Sequence, residues 1–219
     1  MEYWEGQGQV DAKYQQSRHI YRTVKRLFDI IASLIGLILL SPLFLLVAIA
    51  IKIEDPTGPV FYTQIRLGKR KEPFEMYKFR SMVVNAEKLK KKLLQQNEID
   101  GAMFKMKDDP RITKVGKFIR KHSIDELPQL LNVLTGEMSL VGPRPPLPAE
   151  VRSYSSHDKQ RLTVKPGCTG LWQISGRNDV GFEEMVRLDL DYINHRTVSY
   201  DIYILLKTVG VFLFPNGAY

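Results

Sequence analysis

IIASLIGLILLSPLFLLVAIAI, Ile30 to Ile51, carries no charged side chain and is interrupted only by Gly36 and the pair Ser41-Pro42. A straight helix through it is about 33 Å long, enough for the roughly 30 Å hydrocarbon layer of a bilayer. A spanning anchor is one reading. Pro42 opposes it: a mid-helix proline removes a backbone hydrogen bond and bends the helix, and the Ser41 hydroxyl stands where it can satisfy the freed carbonyl. Charge opposes it too. Arg18, Arg22, Lys25 and Arg26 precede the run, and Lys52, Arg66, Lys69, Arg70 and Lys71 follow it. Basic flanks favour the cytoplasmic side, so cations at both ends suit a helix that enters and returns on one face, hinged at Ser41-Pro42 in arms of roughly 16 and 14 Å. The residues alone leave both forms open. A cleavable signal peptide does not fit, because the apolar run is too long and lacks a small-residue cleavage site.

Upstream, Met1 to Arg18 is polar, glycine-containing and without period, and reads as a mobile tail. Tyr21 to Asp29 reads as a helix entering a membrane surface with basic anchors. The rest, 19–219, fits a single domain with a real core. Lys plus Arg number 32 against 24 Asp plus Glu, a net charge of +8, which points to anionic partners: nucleic acid, acidic lipid or phosphorylated metabolites. The one cysteine, Cys168, excludes an intrachain disulfide and fits a small buried residue. His19, His122, His157 and His195 lack metal-ligand spacing, so a zinc site is not expected.

Downstream, Asp55 to Pro59 is a turn, and Val60 to Ile65 and Phe74 to Met82 are short strands joined by the basic turn Gly68 to Lys71. Alternation places Lys78 and Arg80 on one strand face, where they either grip a phosphate or line a solvated edge. Asn85 to Gln96 is a lysine-rich amphipathic helix, suited to anionic headgroups or simply to water. A short amphipathic helix around Val115, Phe118 and Ile119 follows.

It leads into Ser123-Ile124-Asp125-Glu126-Leu127-Pro128-Gln129-Leu130, which sets two adjacent carboxylates at the start of a helix marked by Leu127, Leu130, Leu131 and Leu134. Ser123 and Glu126 match a capping box, but that register leaves Pro128 too deep in the helix. A cap at Asp125 or Glu126 places Pro128 in the first turn, where its missing N–H costs little. Acidic residues at a helix start are commonly no more than caps. Here Arg111, Lys114, Lys117, Arg120 and Lys121 precede them and Arg144 follows. So many cations around few carboxylates suit a substrate with more negative charge than the protein supplies, such as a diphosphate.

Beyond Leu134 the chain is loop-rich. Arg144, set between Pro143 and Pro145, is held on extended backbone that suits a preorganised contact to a charged ligand. Pro148 to Val164 reads as a helix exposing Glu150, Arg152, Lys159 and Arg161. Lys165 to Arg177 holds three glycines around Trp172 and Gln173, allowing close backbone approach to a ligand. Glu183 to His195 is a mixed-charge helix. Ile202 to Phe214 is apolar but too short to span, an interfacial or core-docked helix.

Taken together, Lys25-Arg26-Leu27-Phe28-Asp29, Ser41-Pro42, Lys78 to Met82, Asp109 to Thr113, Ser123 to Leu131, Met138 to Pro145 and Pro166 to Arg177 resemble the bacterial sugar transferase family. Its members are monotopic polyprenol-phosphate phosphoglycosyl transferases, and the resemblance runs from about Lys25 to Lys207. It implies an α+β fold: a membrane-embedded re-entrant helix hairpin at about 22–53, broken at Ser41-Pro42, and a small, mostly helical cytoplasmic domain with short strands and interfacial amphipathic helices. It implies a protein confined to the cytoplasmic leaflet of the bacterial inner membrane, with no nucleic acid among its partners. Longer relatives carry further N-terminal membrane helices and an additional domain; this sequence resembles the minimal catalytic unit.

The implied reaction moves a sugar 1-phosphate from a UDP-sugar to undecaprenyl phosphate and releases UMP. Asp125 is the implied nucleophile, forming a covalent phosphosugar-aspartyl intermediate, and Glu126 assists by binding Mg²⁺ or handling the proton. Lys78, Arg80, Arg111, Arg120 and Arg144 are expected to clamp phosphate, with Gln173 and Arg177 also in the substrate-binding set. No motif reads the sugar, so galactose, glucose and N-acetylated amino sugars stay open. Pairing of two copies through the C-terminal segment is compatible with this picture. Outside it stand two other classes: a non-catalytic basic membrane module, and a phosphohydrolase that turns the aspartyl chemistry on water.

Overall fold

The uncharged apolar run favours one long helix, and α1 occupies His19–Glu54, 36 residues or about 54 Å if straight. The computed structural model describes residues 9–10, 17–93, 106, 108–176 and 180–213, the side chains of 90–92 and 211–213 excepted. Helical order continues through Ser41-Pro42 and does not break there. Pro42 deprives the Ile38 carbonyl of its donor, and Ser41 Oγ replaces it at 2.7 Å. The bond that a hinge would sacrifice is thus supplied locally.

Both ends of α1 pack on the same body. Near its start, Lys25 Nζ meets Asp201 at 2.8 Å, Arg26 donates to the Val133 and Leu134 carbonyls, and Asp29 Oδ1 accepts from Leu140 N at 3.1 Å. Near its end, Val47 and Ile51 are buried with Phe79 and Ile119. The middle is left uncovered: among the described residues none between Ser33 and Val47 is buried, and Ile38 and Leu39 are 63% and 73% exposed.

β1 (Phe61–Leu67) and β2 (Pro73–Phe79) form an antiparallel hairpin with Tyr62 opposite Lys78 and Arg66 opposite Phe74. Its outer edge is closed by a side chain, since the buried Asn132 accepts from Tyr77 N and donates to the Glu75 carbonyl as a neighbouring strand would. The lysine-rich helix α2 is described over Ala86–Leu93, and the remainder of its expected span lies outside the described residues. α3 (Lys114–Lys121) is capped by Thr113 and by Glu54, whose carboxylate accepts from Lys114 N and Val115 N. Gly116 lets α3 press on the hairpin exit: a Cβ there would stand 2.0 Å from the Ser81 carbonyl.

α4 (Gln129–Thr135) follows, then β3 (Ser139–Val141), which pairs in parallel with β4 (Gly167–Thr169). Both short strands fall in stretches expected to be loops. Glycine made the pairing hard to foresee and also makes it fit, because a Cβ on Gly167 would lie 2.1 Å from Gly142 N. The helix expected over Pro148 to Val164 is instead α5 (Pro148–Ser153) and a separate 3-10 turn, Asp158–Thr163. Within that turn Arg161, expected to be exposed, is 1% exposed.

α6 (Leu171–Ile174), α7 (Phe182–His195) and α8 (Val198–Leu213) are the last of the described elements. The main core joins Val133, Met138, Val141, Leu190, Ile193 and Ile204 beneath α1 and the β3–β4 pair. α8 docks through Ile204 and Asp201 and leaves Ile202, Tyr203, Leu206 and Val209 exposed, the amphipathic face expected of an interfacial helix. Helices with small separate sheets make the fold α+β. At the tail, Val10 N donates to Gln160 and the Gln9 carbonyl accepts from Asn194.

Candidate active site

Asp125 and Glu126 lie on a 3-10 turn, Ile124–Glu126, between α3 and α4. No capping box forms. Ser123 takes the left-handed region at φ 51° and gives no cap bond, while α4 begins only after Pro128 at its N-cap. The left-handed step turns the pair towards β2, where Lys78 Nζ meets Glu126 Oε1 at 2.5 Å.

The two carboxyls are driven apart. Asp125 is 9% exposed. Burial pushes its carboxyl up to about 6, the adjacent Glu126 charge adds to the rise, and Lys78 and Arg120 oppose it. Glu126 is exposed. The crowding of protein around its carboxyl works the other way, but the charge and hydrogen bond of Lys78, with Arg144 and Arg66, hold it below the usual range. One group is thus ionised throughout the neutral range while its neighbour titrates just below it, the division of labour that acid-base and nucleophilic sites use.

Lys78 from β2 contacts the pair, and the charges of Arg120 from α3 and Arg144 from the loop after β3 act on it. Arg66 from β1 joins them, although it had been read only as part of the basic flank. It is buried, and burial with the Arg144 charge pushes it down to about 10, still charged at neutral pH. Its guanidinium donates to the Pro145 carbonyl and to Gln64 Oε1. Arg144 pairs with Glu150 at 3.3 Å.

Arg80 and Arg111 are each gripped by a carboxylate outside the acidic pair. Arg80 bonds both the side chain and the carbonyl of Asp55, tying β2 to the end of α1. Arg111 forks onto Asp109. Strand alternation groups Arg80 with Lys78; β2 ends at Phe79, Arg80 N still bonds the Val60 carbonyl, and the Arg80 guanidinium is taken by Asp55. Gln173 stands against Gly170, its Oε1 buried and, with Trp172 Nε1, without a partner among the described residues. Arg177 lies outside the described residues. Cys168 is half-buried by surface area, and burial pushes its thiol far up, which makes it inert.

Among the described residues no three His, Cys, Asp or Glu side chains converge. A cation here would have only the oxygens of Asp125 and Glu126 from the protein, with water and substrate phosphate completing the shell. That donor set fits Mg²⁺, which ordinarily takes one or two carboxylates and leaves the rest to phosphate and water.

An apolar helix with an uncovered face, joined to a small cation-ringed domain around an acidic pair, makes this a membrane-associated protein suited to an anionic substrate. The bacterial sugar transferase family matches residues 20–215, and the chain belongs to that family. It is 48% identical over 218 residues to a galactosyl transferase of Streptococcus agalactiae, covering 98% of this chain and 48% of the relative. An undecaprenyl-phosphate galactose phosphotransferase of Salmonella typhimurium is 48% identical over 202 residues, 90% of this chain and 42% of that one. An exopolysaccharide production protein of Sinorhizobium fredii is 42% identical over 199 residues, 89% of this chain and 88% of its own length. The chain thus spans less than half the length of the first two relatives and most of the third.

Proposed function

We propose that the protein transfers a hexose 1-phosphate, galactose or glucose, from a UDP-sugar to undecaprenyl phosphate, as a first step in building a bacterial polysaccharide. The observation that carries the reading is one acidic pair whose members are tuned apart, with Lys78 in contact and the charges of Arg120, Arg144 and Arg66, from separate elements, acting on it. The relatives' names supply the acceptor and the sugars.

In the first step an Asp125 carboxylate oxygen attacks the phosphorus next to the sugar, the bond to UMP breaks, and UMP leaves. In the second, an oxygen of the lipid phosphate attacks the same phosphorus. The bond to Asp125 then breaks, giving the lipid diphosphate sugar and the free carboxylate. Lys78, Arg120, Arg144 and Arg66 offset charge on the non-bridging oxygens. Asp125 and Glu126 would hold Mg²⁺, which would supply further neutralisation of phosphate charge.

The membrane arrangement belongs to the same proposal. Both ends of α1 return to one domain and its middle is the least covered part, which supports a helix that dips into the cytoplasmic leaflet and comes back. The pair is then held at headgroup height, where the lipid phosphate arrives by lateral diffusion.

The test is a panel of UDP-sugars with Mg²⁺ and undecaprenyl phosphate, scored for UMP release and lipid-linked product. Galactose or glucose donors should give both. Free sugar phosphate as product would show hydrolysis instead, and silence across the panel would remove the enzyme reading. Donor labelled in the sugar, without lipid, should leave label on wild-type protein and none on Asp125→Asn. For topology, Lys13→Cys and Lys71→Cys should both resist an impermeant reagent outside intact cells; labelling of one alone would establish a spanning helix.

A further inference from the structure

The loop that presents Arg144 is fastened one carbonyl at a time. Pro143 O accepts from Gly167 N at 2.9 Å, Arg144 O from Arg161 Nη2 at 3.5 Å, Pro145 O from Arg66 Nη1 at 3.0 Å and Pro146 O from Leu67 N at 3.0 Å. Three of those four residues are prolines, which fix φ and have no N–H of their own to offer. The backbone carbonyls of the loop are therefore held by donors from other segments.

Two of those donors are buried guanidiniums, and Arg161 is the more costly. It is sealed in the interior with Asp189, to which Nη2 also donates, while Nη1 donates to the Tyr154 hydroxyl at 3.1 Å. For packing alone an apolar pair would serve as well or better, because desolvating two charges offsets most of their attraction. What the ion pair adds is direction. A planar fork fixed at two points cannot swing, so even its long third contact is held on the Arg144 carbonyl. At the other end of Arg144, Glu150 holds the side chain and takes the Leu147 N–H at 2.8 Å.

We propose that Arg161, held by Asp189 and Tyr154, is a positioning residue that fixes the Arg144 backbone so that the Arg144 guanidinium stays aimed at the donor's phosphates beside Glu126. The assignment rests on the sugar-phosphate transfer reading for its ligand, but not for its geometry. Loosening the fork lets Arg144 sample other directions, weakening donor binding while leaving Asp125 and its chemistry in place.

The experiment uses the full chain in lipid nanodiscs. Arg161→Lys should raise the KM for the UDP-sugar about tenfold and lower kcat less than threefold, with the smaller change in Tyr154→Phe. Combined with Arg144→Ala, either substitution should add nothing to the loss from Arg144→Ala alone, since coupled residues are not additive. A purely structural role would multiply the losses and would overturn the proposal. A second arm needs no turnover: the Arg144 Nε–H resonance, assigned by its loss in Arg144→Lys, should shift or broaden in both variants while the melting temperature of Tyr154→Phe stays near wild type. An unmoved resonance in Tyr154→Phe and Arg161→Lys overturns the proposal as well. Wild-type protein that transfers no sugar phosphate would sink the reaction reading and leave this arm to decide the positioning. Should Arg161→Lys fail to fold, Tyr154→Phe, which keeps the charge pair, decides both arms.

Discussion

Burial pushes the carboxyls of Asp125 and Asp189 both up, yet they are opposite kinds of group. Asp189 and its partner Arg161 have side chains 1% and 0% exposed, in direct contact. The Arg161 guanidinium occupies that carboxylate in the interior, which leaves it useful only to the protein. Asp125 touches no cation directly among the described residues. Its neighbours Glu126 and Lys78 have side chains 45% and 21% exposed, so a ligand can reach the group and displace what surrounds it. A perturbed carboxyl marks chemistry only where the compensating charges are reachable from solvent.

The sharpest way to break this contrast is one substitution made twice. Asp125→Asn should abolish turnover, by at least about a thousandfold if the carboxylate is the nucleophile. It should also stabilise the fold. A carboxyl raised from 3.8 to about 6 contributes stability that is fully present below the unfolded value and lost as pH rises through the folded one. Above pH 6 the wild type therefore carries a penalty that asparagine relieves, at most about 3 kcal/mol by the usual conversion. Asp189→Asn should do the reverse and cost about 3 kcal/mol, because it strands a buried guanidinium. Denaturant unfolding at pH 8 measures both; equal signs would dissolve the distinction. The same titration sets the rate: kcat/KM should climb with pH through about 6 in wild-type protein.

Lys78→Ala comes next. Glu126 would lose the cation that holds it low, and activity should fall roughly ten- to a hundredfold with the pH profile displaced upward. Stability should change by less than about 1 kcal/mol, since an ion pair this open to solvent is worth little. A large stability loss would place Lys78 with Arg161 and not with the site.

The sequence carried the helices and the acidic pair because their signals are local. The uncharged run to Ile51, the stripe around Leu130 and Leu134, and the basic flank of Asp125 can each be read within a few turns of chain. The short parallel strands could not be read so, since their pairing is set by backbone contact between Gly142 and Gly167. Arg161 was misplaced for a related reason. A charged residue near the end of a presumed helix looks solvated until Asp189, on α7, is brought against it. Arg80 shows the limit of a motif: adjacency to Lys78 in the chain gave no account of Asp55, which caps the end of α1 and takes the Arg80 guanidinium. Asn132 had a readable sign, a polar residue on an apolar stripe between Leu131 and Val133, although only the hairpin explains what it does.

A third carboxylate separates capping from both other roles, with the smallest effect. Glu54 is exposed at the end of α1 and accepts from Lys114 N and Val115 N, so it closes the helix that carries Arg120. Burial nudges its carboxyl up, but those two backbone bonds, with Thr113 and Lys114, hold it below the usual range. A lowered carboxyl contributes stability above the unfolded value and loses it as pH falls through the folded one, opposite in sign to Asp125. Glu54→Gln should cost about 1 kcal/mol, the usual worth of a cap, and the difference from wild type should shrink below pH 4. Hydrogen exchange at the Lys114 and Val115 amides should quicken with little change in turnover, because the Thr113 cap still holds the helix that carries Arg120. A loss of turnover comparable with that of Lys78→Ala would mean that the α1–α3 joint sets the site's geometry as directly as the groups within it.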